Sequence, residues 1–488
     1  MRENLLIANA VSQIKHLKAD YGDIRIKDIT TEHIKTENCK LTDISKTRSR
    51  GAGIRIFVNG AMGFASTSNI ENPESIKQTI QLAYDTAIAS ATFNRKNYRE
   101  KISLSPKNAV VSSYATKIST DPFTVPYKEK IDLLMACNEV MSQKDILGSE
   151  ARMDFRREDV TFADTENSCI TQTFFQSGGY ILARAKEGGQ ARTYGNILRA
   201  GYEVILDLNL PKHSARVAEE AVALSQTEEC PSGVFDLVLM PTQLHLQIHE
   251  SIGHPTELDR VLGSEEALAG ASFLSVGDLG LQYASDHVSV VADATDAMDA
   301  TDATDAMDAT GLGTFGFDDE GVPSQRITLI DKGILKNFQT SRDNAPAIGC
   351  GSYGMGLADG WESLPIVRMT NINLLPGSYT FDALVSGVKY GFVLEENKSW
   401  SIDDKRVNFQ FACEIAREIK DGKLTGKIFK NPVYTGKTTE FWNSCDGVCD
   451  ASYRQMVAIP NCGKGQPMQI MRVSHASQPA RFRKVRLI

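Results

Sequence analysis

Hydrophobic positions in the first hundred residues change between helical and strand spacing. Residues 1–22 have the pattern of an amphipathic helix, and the next run, 24–30, is typical of a strand. Within 51–67, alternating residues flank an Asn59-Gly60 turn, which predicts a β-hairpin. A second helix is predicted after this hairpin, with Asn72 as its cap and Pro73 as its first residue. The face predicted to be buried consists of Ile76, Ile80, Ala83, Tyr84 and Ala87.

The rest of the chain divides into a mixed segment and a mainly β segment. Polar residues over 91–125 predict a linker, which a helix around 131–141 follows. A run of short strands is predicted from about 150 to 209, because Gly178-Gly179 and Gly188-Gly189 indicate turns. A helix over 214–226 ends this segment. After a strand at 235–241, Thr242 is expected to cap a helix that carries the sequence HLQIHESIGH.

We therefore predict an α+β protein with three domains. An N-terminal α/β domain covers 1–105, a middle α+β domain covers 106–231, and a large mainly β domain covers 232–488 and carries the HESIGH helix. The sequence DATDAMDAT occurs twice in tandem, at 293–301 and 302–310. This repeat has too few large apolar residues for burial to offset the conformational entropy lost on ordering. We therefore predict an acidic surface loop over 293–310. A calcium-binding repeat is the alternative, because Asp recurs every three residues.

Composition excludes several classes of function. The formal net charge is −8 and the pI is about 5.6, which argues against a nucleic-acid-binding surface. No stretch approaches the ~20 apolar residues of a membrane span, so we expect no membrane insertion. The N-terminus lacks the apolar core of a signal peptide. Nine cysteines without a disulfide framework favour a reduced, cytoplasmic protein.

The strongest chemical signal is the sequence from His249 to His254. Two imidazoles beside the carboxylate of Glu250 are what a catalytic zinc site needs, with Glu250 as the general base. On a regular helix, residues five apart lie about 140° apart, so the two rings need a distortion to share one ion. Gly253 tolerates unusual dihedrals and Pro255 disfavours helical values at His254, so we expect a π-bulge or a helix end at Gly253.

A third ligand must come from another part of the chain. The best candidate is Cys462, in a Gly-rich stretch beside Lys464, where we expect a turn and an easily ionised thiol. His245 and His249, four residues apart, form a rival histidine pair. A separate structural site of Cys445 and Cys449 is a further alternative. The acidic stretch 316–321 predicts a solvated turn, and a cation-binding site is the alternative interpretation.

These motifs resemble those of the TldD/PmbA peptidases, in particular the catalytic TldD type. The similarity lies in HESIGH with the following Glu257, in GFDDEGVPSQRITLIDKGIL, RMTNINLLPG and NCGKGQP, and in the N-terminal GAGIRIFVNGAMGFAST. The resemblance implies a zinc site of His249, His254 and Cys462 with Glu250 as base. It also implies activity on unstructured peptides, as a homodimer or as a heterodimer with a TldE/PmbA-type subunit. The repeat and the stretch 360–364 depart from the family pattern.

Three functions follow from these residues. The main hypothesis is a zinc-dependent peptidase that acts on unstructured peptides or small unfolded proteins. The second is a cysteine hydrolase with Cys462 as nucleophile and His254 as base. The third is a non-catalytic subunit that pairs with a catalytic partner. Residues that bind the substrate are not identified by the sequence.

Overall fold

A computed structural model describes residues 2–96, 101–265, 270–295 and 310–488. The N-terminal half is built on a sheet of order β3-β2-β1-β5-β6-β4, with β7 paired to β6. Its strands are β1 (Tyr21–Glu37), β2 (Lys40–Val58), β3 (Ala61–Thr67), β4 (Val111–Ala115), β5 (Ile146–Asp164), β6 (Cys169–Ala185) and β7 (Ala191–Leu198). The helices of this half are α1 (Arg2–His16), α2 (Pro73–Lys96), α3 (Tyr127–Met141), α4 (Glu203–Leu208) and α5 (Leu210–Ser225).

Helices α1 and α2 cover one end of this sheet, as the hydrophobic spacing predicts. The Asn72 side chain accepts the Glu74 N–H at 3.0 Å, which confirms Asn72 as the cap of α2. Of the predicted face of α2, only Tyr84 stays partly exposed. The apolar residues that α1 and α2 bury against β1 and β2 include Ile7, Ile14, Ile24, Ile26, Ile54, Ile56, Ile76 and Ile80.

Two predictions about the middle of the chain are wrong in detail. The predicted linker 91–125 contains the last turn of α2 and also β4, which runs parallel to β6. Of the predicted short strands, β7 has eight residues, but the other two are long, since β5 has 19 residues and β6 has 17. Gly178-Gly179 is not a turn but lies inside β6, where a Cβ on Gly178 would meet Asn196 O at 2.3 Å. Gly178 admits the β7 backbone and Gly179 admits the side chain of Leu210, and a local pattern cannot distinguish these roles from a turn.

The sheet also runs across the predicted boundary between the first two domains. Strand β1, from the segment 1–105, pairs along its length with β5, from the segment 106–231. Helices α3 and α5 cover this second end, where Leu134, Met141 and Val217 are buried. The division at 105/106 stays a prediction.

The C-terminal half contains a second large sheet and three small ones. The large sheet has the order β15-β8-β22-β18-β16-β17, with β19 paired to β22. Its strands are β8 (Gly233–Leu239), β15 (Tyr390–Ile402), β16 (Asn408–Lys420), β17 (Lys423–Lys430), β18 (Val433–Lys437), β19 (Cys445–Val448) and β22 (Ala480–Leu487). The small sheets contain β9 (Val290–Asp293), β10 (Arg326–Asp331), β11 (Ile334–Leu335), β12 (Gly356–Leu357), β13 (Ile366–Val367), β14 (Asn371–Leu374), β20 (Gln455–Lys464) and β21 (Gln469–Ser477).

Short helices connect these strands and complete the α+β architecture that the sequence predicts. They are α6 (Pro241–Ile248), α7 (Leu258–Val261), α8 (Phe381–Ser386) and α9 (Thr438–Asn443). The predicted acidic loop 293–310 begins with Asp293, which is buried at the end of β9. Its residues 296–309 lie outside the described part of the chain. None of the helices among the described residues is both long enough and apolar enough to cross a membrane.

Buried charge pairs join the two halves of the molecule. Arg55 of β2 donates to Glu320 at 2.6 Å, and Lys27 of β1 donates to Asp319 at 3.1 Å. The prediction of a solvated acidic turn at 316–321 is therefore wrong, because Asp318, Asp319 and Glu320 are all buried. Asp319 and Glu320 pair with the first sheet, whereas Asp318 accepts backbone N–H groups of Glu320, Val322 and Gly356. The local sequence does not reveal these long-range ion pairs.

Candidate metal centre

The HESIGH segment follows directly from β8 and α6. Helix α6 begins at Pro241, with Met240 in the extended conformation before it. The prediction of Thr242 as the cap is wrong, because proline takes the first helical position and Thr242 already lies inside the helix. The Thr242 hydroxyl oxygen instead accepts the Glu396 N–H at 3.1 Å, which ties α6 to β15. The first turn of the helix is thereby fixed against the large sheet.

The helix then widens into a π-helical turn over His249–Gly253. The His254 N–H donates to the His249 carbonyl, which is the i→i+5 bond that the spacing predicts. The rings of His249 and His254 lie on one side, with centroids 4.6 Å apart and planes at 77°. The predicted π-bulge is confirmed, and it solves the problem of a five-residue separation.

The roles expected of Gly253 and Pro255 need correction. Gly253 has φ −57° and His254 has φ −62°, so both keep helical dihedrals. Glycine is required here for space, since a Cβ on Gly253 would lie 2.1 Å from the sulfur of Met369. Pro255 is the second residue of the 3₁₀ turn His254–Thr256, where its missing N–H costs nothing.

Cys462 approaches the two histidines from the other end of the chain. It lies on strand β20, not in a turn as predicted, and pairs with Met471 of β21 just after a register shift. Its Sγ is 3.7 Å from Nε2 of His254. One ligand atom from each of His249, His254 and Cys462 can be chosen so that all three lie within 4.8 Å of one another.

This donor set fits a zinc ion. With Zn–N and Zn–S bonds of about 2.0–2.1 and 2.3 Å, tetrahedral geometry separates the N and S atoms by about 3.6 Å. The observed 3.7 Å between Cys462 and His254 matches that separation. Burial lowers the pKa of His249 to about 4, and burial together with the Arg406 charge lowers the pKa of His254 well below its ordinary value. Both imidazoles are therefore neutral at pH 7, as metal ligands must be.

The thiol does not behave as the sequence suggests. Burial raises the pKa of the Cys462 thiol, so the neighbouring Lys464 does not make it easily ionised. The Lys464 ammonium instead donates to Asp259 at 2.8 Å and to the Val367 carbonyl at 2.6 Å. A cation among these ligands is the group that would convert Cys462 to the thiolate.

A buried carboxylate orients His254. Oε2 of Glu257 lies 2.9 Å from Nδ1 of His254 and accepts from Nε of Arg260 at 2.7 Å, while Lys464 lies 3.4 Å from Oε1. Burial raises the pKa of Glu257, but the charges of Lys464 and Arg260 outweigh it and hold the pKa well below its usual range. Since the carboxylate accepts at Nδ1, His254 presents the lone pair of Nε2 toward Cys462.

Two contacts around His249 and Glu250 are not visible in the sequence. Glu250 forms a close ion pair with Arg406, which lies in the turn between β15 and β16 at φ 65°. The ring of His249 contacts His475 of β21, with Nδ1 and Nε2 2.8 Å apart. Lone Arg and His residues without a characteristic spacing offer no signal from which either role could be predicted.

The contacts of His475 also determine where the proton of His249 lies. The Ile372 N–H donates to Nδ1 of His475 at 3.0 Å, so a neutral His475 carries its proton on Nε2 and donates to His249. The neutral His249 ring then carries its own proton on Nε2. If Nε2 of His249 were to hold a cation, that nitrogen would carry no proton, and Nδ1–H of His249 would donate to Nε2 of His475.

The rival ligand sets are not brought together. His245 is buried and its Nδ1 lies 3.2 Å from the Pro241 carbonyl oxygen, as in an ordinary helix. Among the described residues, the group of His249, His254 and Cys462 is the one whose ligand atoms can converge on an ion. Cys445 and Cys449 are buried, and burial raises the pKa of each to about 12.

Comparison with known proteins identifies the class first. Models described as "PmbA/TldA metallopeptidase domain 1" and "PmbA/TldA metallopeptidase C-terminal domain" match residues 22–87 and 232–473. Together these matches cover more than half of the chain, and both describe one class of metallopeptidase. The chain belongs to the TldD/PmbA family, which confirms the resemblance of its motifs.

Relatives and solved structures support this assignment over nearly the whole length. A metalloprotease of Methanocaldococcus jannaschii is 28% identical and covers 92% of this chain and 94% of its own. A zinc metalloprotease TldD homolog of Saccharolobus solfataricus is 24% identical over 89% of this chain and 90% of its own. TldE from Thermococcus kodakarensis has the same fold, with a TM-score of 0.69 at 17% identity over 100% of this chain and 99% of its own.

A second structure, described as a modulator of a DNA gyrase from Thermotoga maritima, has a TM-score of 0.73 at 17% identity over 100% and 99% of the two chains. These structural likenesses show the fold alone. The sequence relatives carry metalloprotease names and a solved structure of the same fold is a TldE, so the fold by itself does not distinguish the two types.

Proposed function

We propose that this chain is a zinc-dependent peptidase that hydrolyses unstructured peptides or small unfolded proteins. The observation that carries the proposal is the convergence of His249, His254 and Cys462 from two distant segments into one buried cluster. Two neutral imidazoles and a thiol are a donor set that zinc prefers. The zinc metalloprotease among the relatives supports the same metal.

The chain's own residues supply the remaining chemistry. A bound zinc ion would contribute Lewis acidity, which polarises a carbonyl and lowers the pKa of water. Glu250, adjacent to His249 on the π-turn, takes a proton from the attacking water and returns it to the leaving amine. Arg406 holds the Glu250 carboxylate by its ion pair, and Glu257 holds the ring of His254. Base and ligands are thereby oriented before the substrate arrives.

We place the peptide as an added strand next to β20 and β21. Within the described residues these two strands pair with each other and with no further strand. An extended substrate can bind such an edge through its main chain, which selects unfolded segments. We propose a cytoplasmic homodimer or a heterodimer with a TldE/PmbA-type subunit. The fold shared with TldE supports the second arrangement.

A cysteine hydrolase is the second candidate, and one observation favours it. Cys462, His254 and Glu257 form a thiol–imidazole–carboxylate series, with contacts of 3.7 and 2.9 Å. The buried thiol with a raised pKa argues against it, because reactive cysteines have lowered pKa values and partial exposure. A non-catalytic partner subunit is the third candidate. In that case, the loss of Glu250 would not change the activity of the assembly that contains this chain.

Metal content and peptide turnover, measured on the same variants, test the proposal. His249→Ala and Cys462→Ala should lose zinc and activity, whereas Glu250→Gln should keep zinc and lose about 100-fold or more in kcat. His245→Gln is the matched control and should keep both. A full equivalent of zinc in both ligand variants would refute the assignment. Activity that survives a chelator would favour the cysteine hydrolase, and a fully active Glu250→Gln would exclude Glu250 as the base.

A further inference from the structure

A cleft of about 650 Å³, which includes open solvent, lies between the first sheet and the β20–β21 ribbon. Two arginines enter it from different elements, Arg199 after β7 and Arg472 on β21. Apolar and aromatic side chains line the same cleft, among them Phe174, Phe315 and Met369. Cationic groups over an apolar wall are suited to a ligand that is itself part charged and part apolar.

Two donor groups of Arg199 have no hydrogen-bond partner among the described residues. Its Nη2 donates to the Leu312 carbonyl, but Nε and Nη1 are buried without a partner. The guanidinium lies 4.5 Å from the ring centroid of Phe174. Burial lowers the pKa of Arg199 to about 10, so the group is still charged at pH 7. Arg199 is half-buried as a whole, but donor atoms buried without a partner are costly unless a ligand pairs with them.

Arg472 is also without an acidic partner. Its Nη1 donates to the Gln176 amide oxygen at 3.4 Å, a long and neutral contact. Among the described residues, no carboxylate forms an ion pair within 4.0 Å of Arg199 or Arg472, although most buried arginines here have one.

The acidic residues of the cleft are already engaged. Glu158 pairs with Lys27 at 3.0 Å and with Arg156 at 2.8 Å. Burial raises the pKa of Glu158, but these two cations outweigh it and lower the pKa to about 2. Asp319 pairs with Lys27 at 3.1 Å, and Asp359 accepts the Ile470 N–H at 2.8 Å. Among the described residues, Glu158 therefore acts on Arg199 and Arg472 only from beyond ion-pair distance, and neither guanidinium has a carboxylate bonded to it.

The cleft adjoins the candidate metal centre. Met471, in its wall, is the strand partner of Cys462. Met369, also in the wall, packs its sulfur against the α-carbon side of Gly253 in the π-turn. A group bound in the cleft lies one layer of side chains from the ligand cluster, within the reach of one or two residues of an extended peptide.

We propose that this cleft is a subsite that binds a substrate carboxylate on Arg199 and Arg472, with the adjoining apolar side chain on the Phe174–Phe315 wall. The inference rests on the proposed peptidase function and narrows its substrates to peptides with a carboxylate near the cleaved bond. That carboxylate is either the free C-terminus of the peptide or the side chain of an Asp or Glu. Arginine suits it because the planar guanidinium bonds both carboxylate oxygens.

Binding to the Glu250→Gln protein, which does not depend on turnover, is the test. Three fluorescent peptides of one length are compared: a free C-terminal acid, its C-terminal amide, and the amide with one internal Glu. We expect the acid or the Glu peptide to bind about tenfold or more tightly than the plain amide. Which of the two does so identifies the source of the carboxylate.

Substitutions then assign the preference to the cleft. Arg472→Gln and Arg199→Gln should each remove most of the preference and leave the plain amide peptide unchanged, and Arg199→Lys should restore part of it. Arg157→Gln, an exposed arginine paired with Asp159 on β5, is the control and should change nothing. Equal affinity of the unsubstituted cleft for all three peptides overturns the proposal, as does an equal loss for all peptides in both Gln variants. Inactivity of the unsubstituted chain with a retained binding preference would refute the peptidase and leave the subsite standing.

Discussion

Glu257 is the residue whose replacement tests the support of the metal centre most directly. Its carboxylate is fully buried and contacts His254, Arg260 and Lys464. In Glu257→Gln the charge disappears while the volume stays the same. An amide oxygen in the place of Oε2 still accepts from His254 and Arg260, but the NH₂ group then faces the Lys464 ammonium, so that contact is lost.

Two magnitudes follow from this geometry. Loss of a carboxylate that orients a metal-binding histidine costs about 10- to 100-fold in metal affinity, equal to about 1.4–2.7 kcal/mol. Removal of one partner from a buried ion pair costs about 3–5 kcal/mol of stability. We therefore expect Glu257→Gln to weaken zinc binding by about 10- to 100-fold and to lower the free energy of unfolding of the chelator-treated protein by several kcal/mol.

Asp259 provides the matched control. It accepts from the same Lys464 ammonium at 2.8 Å but does not contact His254. Asp259→Asn therefore removes a carboxylate from the same ammonium and leaves the partner of the His254 ring in place. Zinc affinity by competition with a chromophoric chelator, together with urea unfolding, separates the effects. The reasoning is wrong if Asp259→Asn weakens zinc as much as Glu257→Gln, because the effect would then be one of charge and not of histidine orientation.

Three other outcomes are expected. Glu396 has its pKa raised to about 8, first by burial and then by Glu414, so the native state holds a proton that the unfolded chain loses above pH ~4.5. The free energy of unfolding should therefore fall as pH rises from ~4.5 to ~8. In Glu396→Gln, this fall, measured by urea unfolding, should be smaller by at least about 1 kcal/mol. Parallel pH profiles of the two proteins would contradict this prediction. Gly253→Ala should lower stability by about 1–2 kcal/mol, because the overlap with Met369 outweighs the gain of about 1 kcal/mol in helix propensity. A double variant with Met369→Ala should lose less than the sum of the single losses, and strict additivity would exclude the overlap. Removal of metal by a chelator should lower the melting temperature of the unsubstituted chain, and a Cys462→Ala chain should not respond.

The sequence by itself determined the local features of the centre. His249, Glu250 and His254 lie within six residues, so their relation is decided locally. The five-residue spacing, together with one shared ion, predicted a π-bulge or a helix end, and the structure has the π-turn. The faces of α2 and the turn at Asn59 follow from the same short-range periodicity. Predictions from local sequence patterns hold for those features whose structure is set by contacts between residues a few positions apart.

Tertiary structure alone decided what converges on those residues. Cys462 was a candidate ligand from its motif, but strand pairing between β20 and β21 and the burial of that ribbon bring its sulfur to His254. Arg406 and His475 reach the centre from a turn and a strand that carry no signal in the sequence. Which distant segments meet depends on strand register and on close packing between the two halves, and neither is encoded in the spacing of nearby residues.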